Sequence, residues 1–288
     1  MRRIHLDLDV LRTFVTGVDL GSFAKAADRL GRSTSAVSAQ LKKLEEQAGS
    51  AVLRKAGRGM VPTPAGEVLL GYARRLLDLN DEAANAVRGA DLEGEVRLGV
   101  QEDFGETLLP TVLGGFARAH PRVQVQARLA RNAELIAQVE RGALDLALAW
   151  DGGEATTHAR RVARLPMQWI ARAGTVLAAD EPVPLAVLEA PCLMRQTATA
   201  ALDKARRPWR IAFTSPSLAG IWAAVDAGLG ITVRTTAGLP ERLATLPGLP
   251  HLPVIGLSLH RSQADPSGPV KRLEGLLQAH LRVSLGKD

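Results

Sequence analysis

Ser22-Phe23-Ala24-Lys25-Ala26-Ala27-Asp28-Arg29-Leu30-Gly31-Arg32-Ser33-Thr34-Ser35-Ala36-Val37-Ser38 is the stretch from which the architecture can be read. Ser22 can cap a helix whose apolar stripe is Phe23, Ala27 and Leu30, and Gly31 ends it. Ser33 can cap the next, with Val37, Leu41 and Leu44 as its stripe and Gly49 as its end. Only Gly31 and Arg32 separate the two, and the small Ala26–Ala27 pair admits another helix at close range. That is a helix-turn-helix in outline. Upstream, Leu8, Leu11, Val15 and Val18 make the stripe of a first helix ended by Gly21.

Downstream, Val52 to Pro62 sets two short arms around a Gly57-Arg58-Gly59 tip, a two-stranded wing. Thr63 then caps a helix with Pro64 at its first position, where proline costs no hydrogen bond. This helix runs to about residue 91, and Leu69, Tyr72, Leu76, Leu79, Ala83 and Ala86 recur along it at steps of 3, 4, 3, 4 and 3. Heptad spacing keeps one narrow stripe on a partner helix. No second long helix is evident, so a second copy of the chain is the expected partner, with Leu69, Tyr72, Leu76, Leu79 and Ala83 as the dimerisation residues. The expected domains are a head at 1–64, a linker helix at 65–91 and a body at 92–288.

The 288 residues are 46% hydrophobic and 23% charged, which suits a globular chain of several domains. Aromatics at 3% disfavour an all-β fold built on aromatic cross-strand pairs. Cys192 is the sole cysteine, so an intrachain disulfide and a thiolate zinc cluster are both excluded. No stretch reaches the ~18 apolar residues of a membrane helix, and Asp7 and Asp9 interrupt any leader. A cytoplasmic protein with no membrane partner is expected. Of the net charge of +6, residues 1–64 carry +5 (eleven Lys/Arg against six Asp/Glu), residues 65–91 carry −2 and the remainder +3. A small basic head on a near-neutral body fits a head that meets a polyanion.

From residue 93 the texture changes. Strands are expected at 95–100, 123–129 and 144–150, with helices at 106–119 and 133–141 between them. That β-α-β-α-β order predicts a parallel sheet. Further strands are expected at 169–171, 191–194, 211–214 and 230–234, and helices at 183–189, 198–206, 217–227 and 269–281. The fold class is α/β overall, with an all-α winged head and a two-lobed α/β body. Lobe I is expected at about 92–163 and 266–288, and lobe II at about 164–265.

The helix that begins at Thr34 has a polar face of Thr34, Ser35, Ser38 and Lys42. Hydroxyls and a cation at a capped helix start can meet phosphates and base edges in the major groove. Wing residues Arg54, Lys55 and Arg58 would reach the flanking backbone or minor groove. With Ser22, Arg32 and Ser33 at the two helix starts, these form the candidate interface with double-stranded DNA.

The same residues carry a family resemblance. Ser22-Phe23-Ala24-Lys25-Ala26-Ala27, Ala36-Val37-Ser38-Ala39-Gln40-Leu41-Lys42-Lys43-Leu44-Glu45-Glu46, Arg58 and Thr63-Pro64-Ala65-Gly66 resemble the LysR-type transcriptional regulators. Val225-Asp226-Ala227-Gly228-Leu229-Gly230-Ile231 extends the likeness into the body. The resemblance implies a winged helix-turn-helix, a dimerising linker helix and an effector domain like the periplasmic binding proteins. It also implies assembly up to tetramers, an interrupted palindrome near a promoter, and RNA polymerase as a further partner. Thr34 stands where such proteins often have Gln, Ala39 where they have Arg, Pro62 where the wing has Leu, and Lys55 where it has Arg.

Ligands of open α/β sheets sit beyond the carboxyl ends of strands. Here those positions give Gln101, Glu102, Asp103, Phe104, Arg131, Trp150, Arg195, Gln196, Thr214 and Ser215 as candidates for a small-molecule effector. Glu102 and Asp103 would repel an anion unless they face solvent, while Arg195 could offset them and Trp150 could stack on an apolar body. His5, His120, His158, His251, His260 and His280 lack ligand spacing, so neither a metal nor a cofactor is expected. The His-Glu-x-x-His, Gly-x-Ser-x-Gly, P-loop and Gly-x-Gly-x-x-Gly patterns are missing, so an enzyme is not expected. Cys192 reads as core. A solute-binding protein or enzyme with an accessory nucleic-acid-binding head, and a constitutive DNA-binding protein with an empty body, are the alternatives.

Overall fold

The computed structural model describes residues 5–57, 59–88, 92–106, 108–152, 156–178 and 181–285, with backbone alone at 78, 82, 85, 86, 88 and 283. Arg58 and the side chain of Ala86 therefore lie outside the described residues. Contacts divide the chain into two compact units, 1–90 and 91–288.

The first unit is α1 (Leu8–Asp19), α2 (Phe23–Leu30), α3 (Thr34–Ala48), β1 (Leu53–Ala56), β2 (Gly59–Pro62) and α4 (Pro64–Arg88). Asp7, Ser22 and Ser33 accept first-turn N–H bonds and so start α1, α2 and α3. Gly31 turns the chain between α2 and α3 at φ 63°, a left-handed conformation that glycine adopts without a Cβ penalty. The core is Leu11, Phe14 and Leu44 with Val10, Val52, Leu53, Leu70, Ala73 and Leu77. On α1 the buried face is Val10, Leu11, Thr13, Phe14 and Gly17; of the expected stripe Leu11 is buried, Val15 and Val18 pack partly buried beside it, and Leu8 is exposed. The reason is packing: α2, α3 and α4 all contact α1, so a wide arc is covered instead of one seam.

Thr63 joins wing to linker. Its N–H donates to Val52 O at 3.0 Å, its hydroxyl donates to Ala51 O at 2.8 Å, and the same hydroxyl accepts from Gly66 N at 3.0 Å. α4 then passes so close to the wing that a Cβ on Gly66 would sit 2.0 Å from Val52 O.

The second unit holds a five-stranded sheet in the order β4 (Val123–Leu129), β3 (Gly94–Val100), β5 (Leu146–Trp150), β12 (Val254–Arg261), β6 (His158–Pro166). β3 runs parallel to β4 and β5, with Leu98 opposite Ala127 and Leu146. β12 adds antiparallel to β5 and β6. α5 (Leu108–Ala119), α6 (Asn132–Glu140) and α9 (Gly268–Ser284) flank it. A second group of strands has β7 (Gln168–Arg172) between β10 (Thr232–Arg234) and β11 (Leu243–Thr245), and β8 (Val183–Leu188) parallel to β9 (Trp209–Ser215). A Leu185–Ile231 bridge joins the two pieces, and α7 (Leu193–Lys204) and α8 (Leu218–Asp226) accompany them.

Three expectations fail here. Residues 183–189 form a strand, not a helix, because Val183-Pro184-Leu185-Ala186-Val187-Leu188 is mostly buried, and a continuous apolar run has no period to read. Residues 191–194 start α7 rather than form a strand. β6, β11 and β12 went unread. β6 carries exposed Arg160, Arg161 and Arg164 along an edge, where charge masks alternation. Since β12 pairs with β5 and β6, the chain rejoins the first sheet at Val254, ahead of the expected residue 266.

Gly66→Ala is expected to cost the head about 1–3 kcal/mol, the scale of overpacking against immobile backbone. Denaturant unfolding of residues 1–90 followed by circular dichroism checks it.

Candidate nucleic-acid interface and interlobe cavity

Thr34, Ser35, Ser38, Ala39 and Lys42 are exposed on one face of α3, while Val37 and Leu44 are buried on the other. Gln40 turns inward and accepts from Thr13 Oγ1 at 2.7 Å, which fixes the roll of α3 on α1. Lys43 also turns back, onto Asp7 at 2.6 Å, and this bond holds the Asp7 carboxyl below its usual range. The adjacent lysines therefore separate: Lys43 ties α3 to α1, and Lys42 projects with the hydroxyls.

The hydroxyls also do local work. Ser22 Oγ accepts from Lys25 N at 3.3 Å and Ser33 Oγ from Ala36 N at 3.2 Å. Ser35 Oγ lies 2.9 Å from Ser33 Oγ, and Ser38 Oγ donates to Thr34 O at 3.0 Å. Arg32 Nη2 lies 3.1 Å from Asp9, an exposed pair that leaves other guanidinium N–H groups for a phosphate. On the wing Arg54 and Lys55 are exposed, opposite Val61 and Met60, and the pleat sends them to opposite faces.

α4 is two-sided. Leu70, Ala73 and Leu77 enter the head core. Arg12 grips Asp81 through both carboxylate oxygens at 2.6 and 3.2 Å, and Arg74 meets Asp19 at 2.6 Å. Burial alone would raise the Asp81 carboxyl, but the bonds from Arg12 and Asn80 outweigh it and hold it low. On the other side Tyr72 (59%), Leu76, Leu79 (59%) and Ala83 are exposed, with Val68 beside them. Leu69 differs from the rest of the expected seam, being partly buried against the head.

In the second unit a cavity of about 380 Å³ opens between the two groups of strands. Of the expected residues, Gln101, Arg131, Trp150 and Gln196 border it. Gln101 Nε2 donates to Asn132 Oδ1 at 2.7 Å. Arg131 reaches across to the carbonyls of Glu189 and, at 2.8 Å, Pro191.

The others are elsewhere. Residues 102–104 form a 3-10 turn that swings their side chains away from the opening. Glu102 accepts from Leu218 N, the first residue of α8. Asp103 is buried, accepts from Trp150 Nε1 at 3.3 Å and faces Arg234 at 3.6 Å. Phe104 packs on Trp150 with ring centroids 5.2 Å apart. Arg195 is half-buried in the first turn of α7, Thr214 is exposed on β9, and Ser215 Oγ accepts from Ser217 N at 3.2 Å. Asn132, beside Arg131 at the same strand end, borders the cavity too, whereas Arg234, Met194 and Ile255 border it and were missed. The strand-end rule, applied to the carboxyl end of β10, finds Arg234. Cys192, read as core, is half-buried at the N-cap of α7 and borders the same cavity.

Among the described residues no group of three or more His, Cys, Asp or Glu is arranged to hold a metal ion, and no helix is long and apolar enough to cross a membrane.

Comparison with known proteins agrees with this arrangement. The family model for a bacterial regulatory helix-turn-helix protein of the lysR family matches residues 8–67, and that for a LysR substrate binding domain matches residues 89–282. The HTH-type transcriptional regulator PecT of Dickeya dadantii is 35% identical over 253 residues, covering 87% of this chain and 80% of that protein. The HTH-type transcriptional regulator DgdR of Burkholderia cepacia is 35% identical over 286 residues, covering 97% and 95%. A putative LysR family regulator from Pseudomonas aeruginosa shares the fold at TM-score 0.55 and 21% identity, over 98% of this chain and 100% of that one. Vibrio fischeri DarR, solved in complex with DNA, does so at TM-score 0.54 and 16% identity, over 95% and 99%. The chain belongs to the LysR family of transcriptional regulators, with a DNA-binding helix-turn-helix and an effector-binding domain.

Glu102→Ala is expected to destabilise residues 91–288 by about 0.5–2 kcal/mol, since it removes an acceptor from the start of α8. Thermal unfolding of the full chain checks it.

Proposed function

We propose that residues 1–64 read double-stranded DNA through Ser22, Arg32, Ser33, Thr34, Ser35, Ser38 and Lys42, with Arg54, Lys55 and Arg58 on the flanking backbone. The observation that carries this reading is the exposed hydroxyl-and-lysine face at the capped start of α3. The hydroxyl caps leave each serine able to donate or accept once more, so capping and DNA contact are compatible. Residues 65–91 form the linker, and the face of Tyr72, Leu76, Leu79 and Ala83, flanked by Leu69, pairs with a second copy. Dimers assemble to tetramers on an interrupted palindrome near a promoter, where RNA polymerase is the further partner. Residues 92–288 take a small-molecule effector between the lobes, and the change of lobe angle alters the spacing or bend of the bound DNA. The effector acts only by its differential affinity for the two arrangements. The protein works in the cytoplasm, and a regulator of this kind catalyses no reaction of its own.

Purified protein titrated on the DNA upstream of its own reading frame, across a salt series, tests the reading. Lys42→Ala is expected to reduce the slope of log affinity against log salt by about one. Ser38→Glu, which sets a carboxylate against phosphate, is expected to abolish specific binding. Equal binding by wild type and Ser38→Glu would overturn the proposed interface. Footprints unchanged by a saturating ligand would overturn the effector mechanism.

Tyr72→Asp with Leu79→Asp is expected to shift the sedimentation profile toward monomer, because two carboxylates would be buried in an apolar seam. An unshifted profile would place the dimer interface elsewhere.

A further inference from the structure

Two clasps join α1 to α4. Arg12 donates to Asp81 through Nη2 at 2.6 Å and Nη1 at 3.2 Å, and Arg74 Nη2 donates to Asp19 at 2.6 Å. The later residue of α1 thus meets the earlier residue of α4, so the helices run antiparallel. Asp19 lies seven residues after Arg12, and Asp81 seven after Arg74. Seven residues is close to two turns, so on each helix the two charges share a face about 10 Å apart. Equal spacing lets both clasps close at once. Leu77, between them on α4, is buried in the head core with Leu70 and Ala73.

The order of the signs makes this a lock on register. A slide of α4 along α1 by one heptad would keep the same faces together. In one direction it sets Arg12 against Arg74 and Asp19 against Glu67, and in the other Asp19 against Asp81 and Arg12 against Arg88. Every such pairing is of like charge and repels. The clasps themselves are open to water, with side chains 40% and 51% exposed at Arg12–Asp81 and 49% and 28% at Arg74–Asp19. Ion pairs so exposed add little to folding. Their effect falls on alignment.

α1 also holds α3. Thr13 donates to Gln40, Asp7 meets Lys43, and Asp9 meets Arg32 just ahead of α3. One helix therefore carries α3 and α4 together. Taking α4 as the helix that pairs with a second copy, we propose that Arg12, Asp19, Arg74 and Asp81 are positioning residues that set the half-site spacing a dimer prefers. They touch no DNA and act through α1, which places α3 relative to the paired helices. The scale is sufficient. In a two-fold dimer, a slide of each head by one residue's rise, about 1.5 Å, changes the separation of the two α3 faces by up to about 3 Å. One base pair is ~3.4 Å.

The test uses the full chain and duplexes recovered with it from a random-sequence library, remade with the gap between half-sites one or two base pairs longer and shorter. Wild type is expected to bind the altered gaps more weakly. Asp81→Arg, which sets a second guanidinium against Arg12, should reduce that discrimination about 3- to 10-fold, the range of one exposed ion pair. The exchanged pair Arg12→Asp, Asp81→Arg should restore it. Asp19→Asn with Asp81→Asn, which changes charge but not shape, should give the same loss and guards against a misfolded Asp81→Arg. Half-site sequence, melting temperature and sedimentation profile should stay as in wild type. Full discrimination in both loosened variants, or no recovery in the exchanged pair, would overturn the assignment. So would equal weakening at every gap with a lower melting temperature, the mark of a merely structural role, or a wild type indifferent to the gap. A wild-type chain that sediments as a monomer would remove the pairing of α4 and the inference with it, whereas a dimer with unaltered discrimination removes the inference alone.

Discussion

A helix begins with backbone N–H groups that have no partner inside it, and the way each beginning is satisfied separates the parts of this molecule. In the head the partners are local side chains: Asp7, Ser22, Ser33 and Thr63 each sit just ahead of the helix they close. Those starts are complete within a few residues of sequence. The head is thereby a self-contained frame that presents the face of α3 in one fixed roll, pinned by Gln40 and Lys43 on α1. In the body α8 borrows Glu102 from the other lobe in addition to Ser217, and α6 and α7 start without a side-chain cap beside the cavity.

The lobes are joined across this region by polar straps: Glu102 to Leu218 N, Arg131 to the carbonyls of Glu189 and Pro191, and Asp103 to Arg234. One apolar core runs through both lobes, from Leu98, Leu148 and Leu257 of the first sheet to Trp169, Leu185 and Val233 of the second group of strands.

α4 is built on the opposite plan. One side, Leu70, Ala73 and Leu77, is committed to the head with Arg12–Asp81 and Arg74–Asp19 along its borders, and the other is left apolar and exposed. Pairing of that exposed face with a second copy, as proposed, would tie the spacing of two heads to whatever holds the faces together.

The head was legible because its determinants are local. Caps, the Gly31 turn, the Gly57–Gly59 wing and the proline at the start of α4 each act within a few residues, and the sequence alone determined them. The body was legible only where apolar period and strand order coincide, as in β3, α5, β4, α6 and β5. Tertiary structure decided the rest. Val183–Leu188 is a strand because it is covered on both faces, and β12 lies in the first sheet because β5 and β6, about a hundred residues earlier, flank it. In the cavity, strand-end logic found Gln101, Arg131, Trp150 and Gln196. Glu102, Asp103 and Phe104, also at a strand end, are rotated by their 3-10 turn into the lobe joint and core, and Arg234 went unread. Which side of a turn a carboxylate faces depends on the partner that meets it. For Asp103 that partner is Arg234, 131 residues away in sequence.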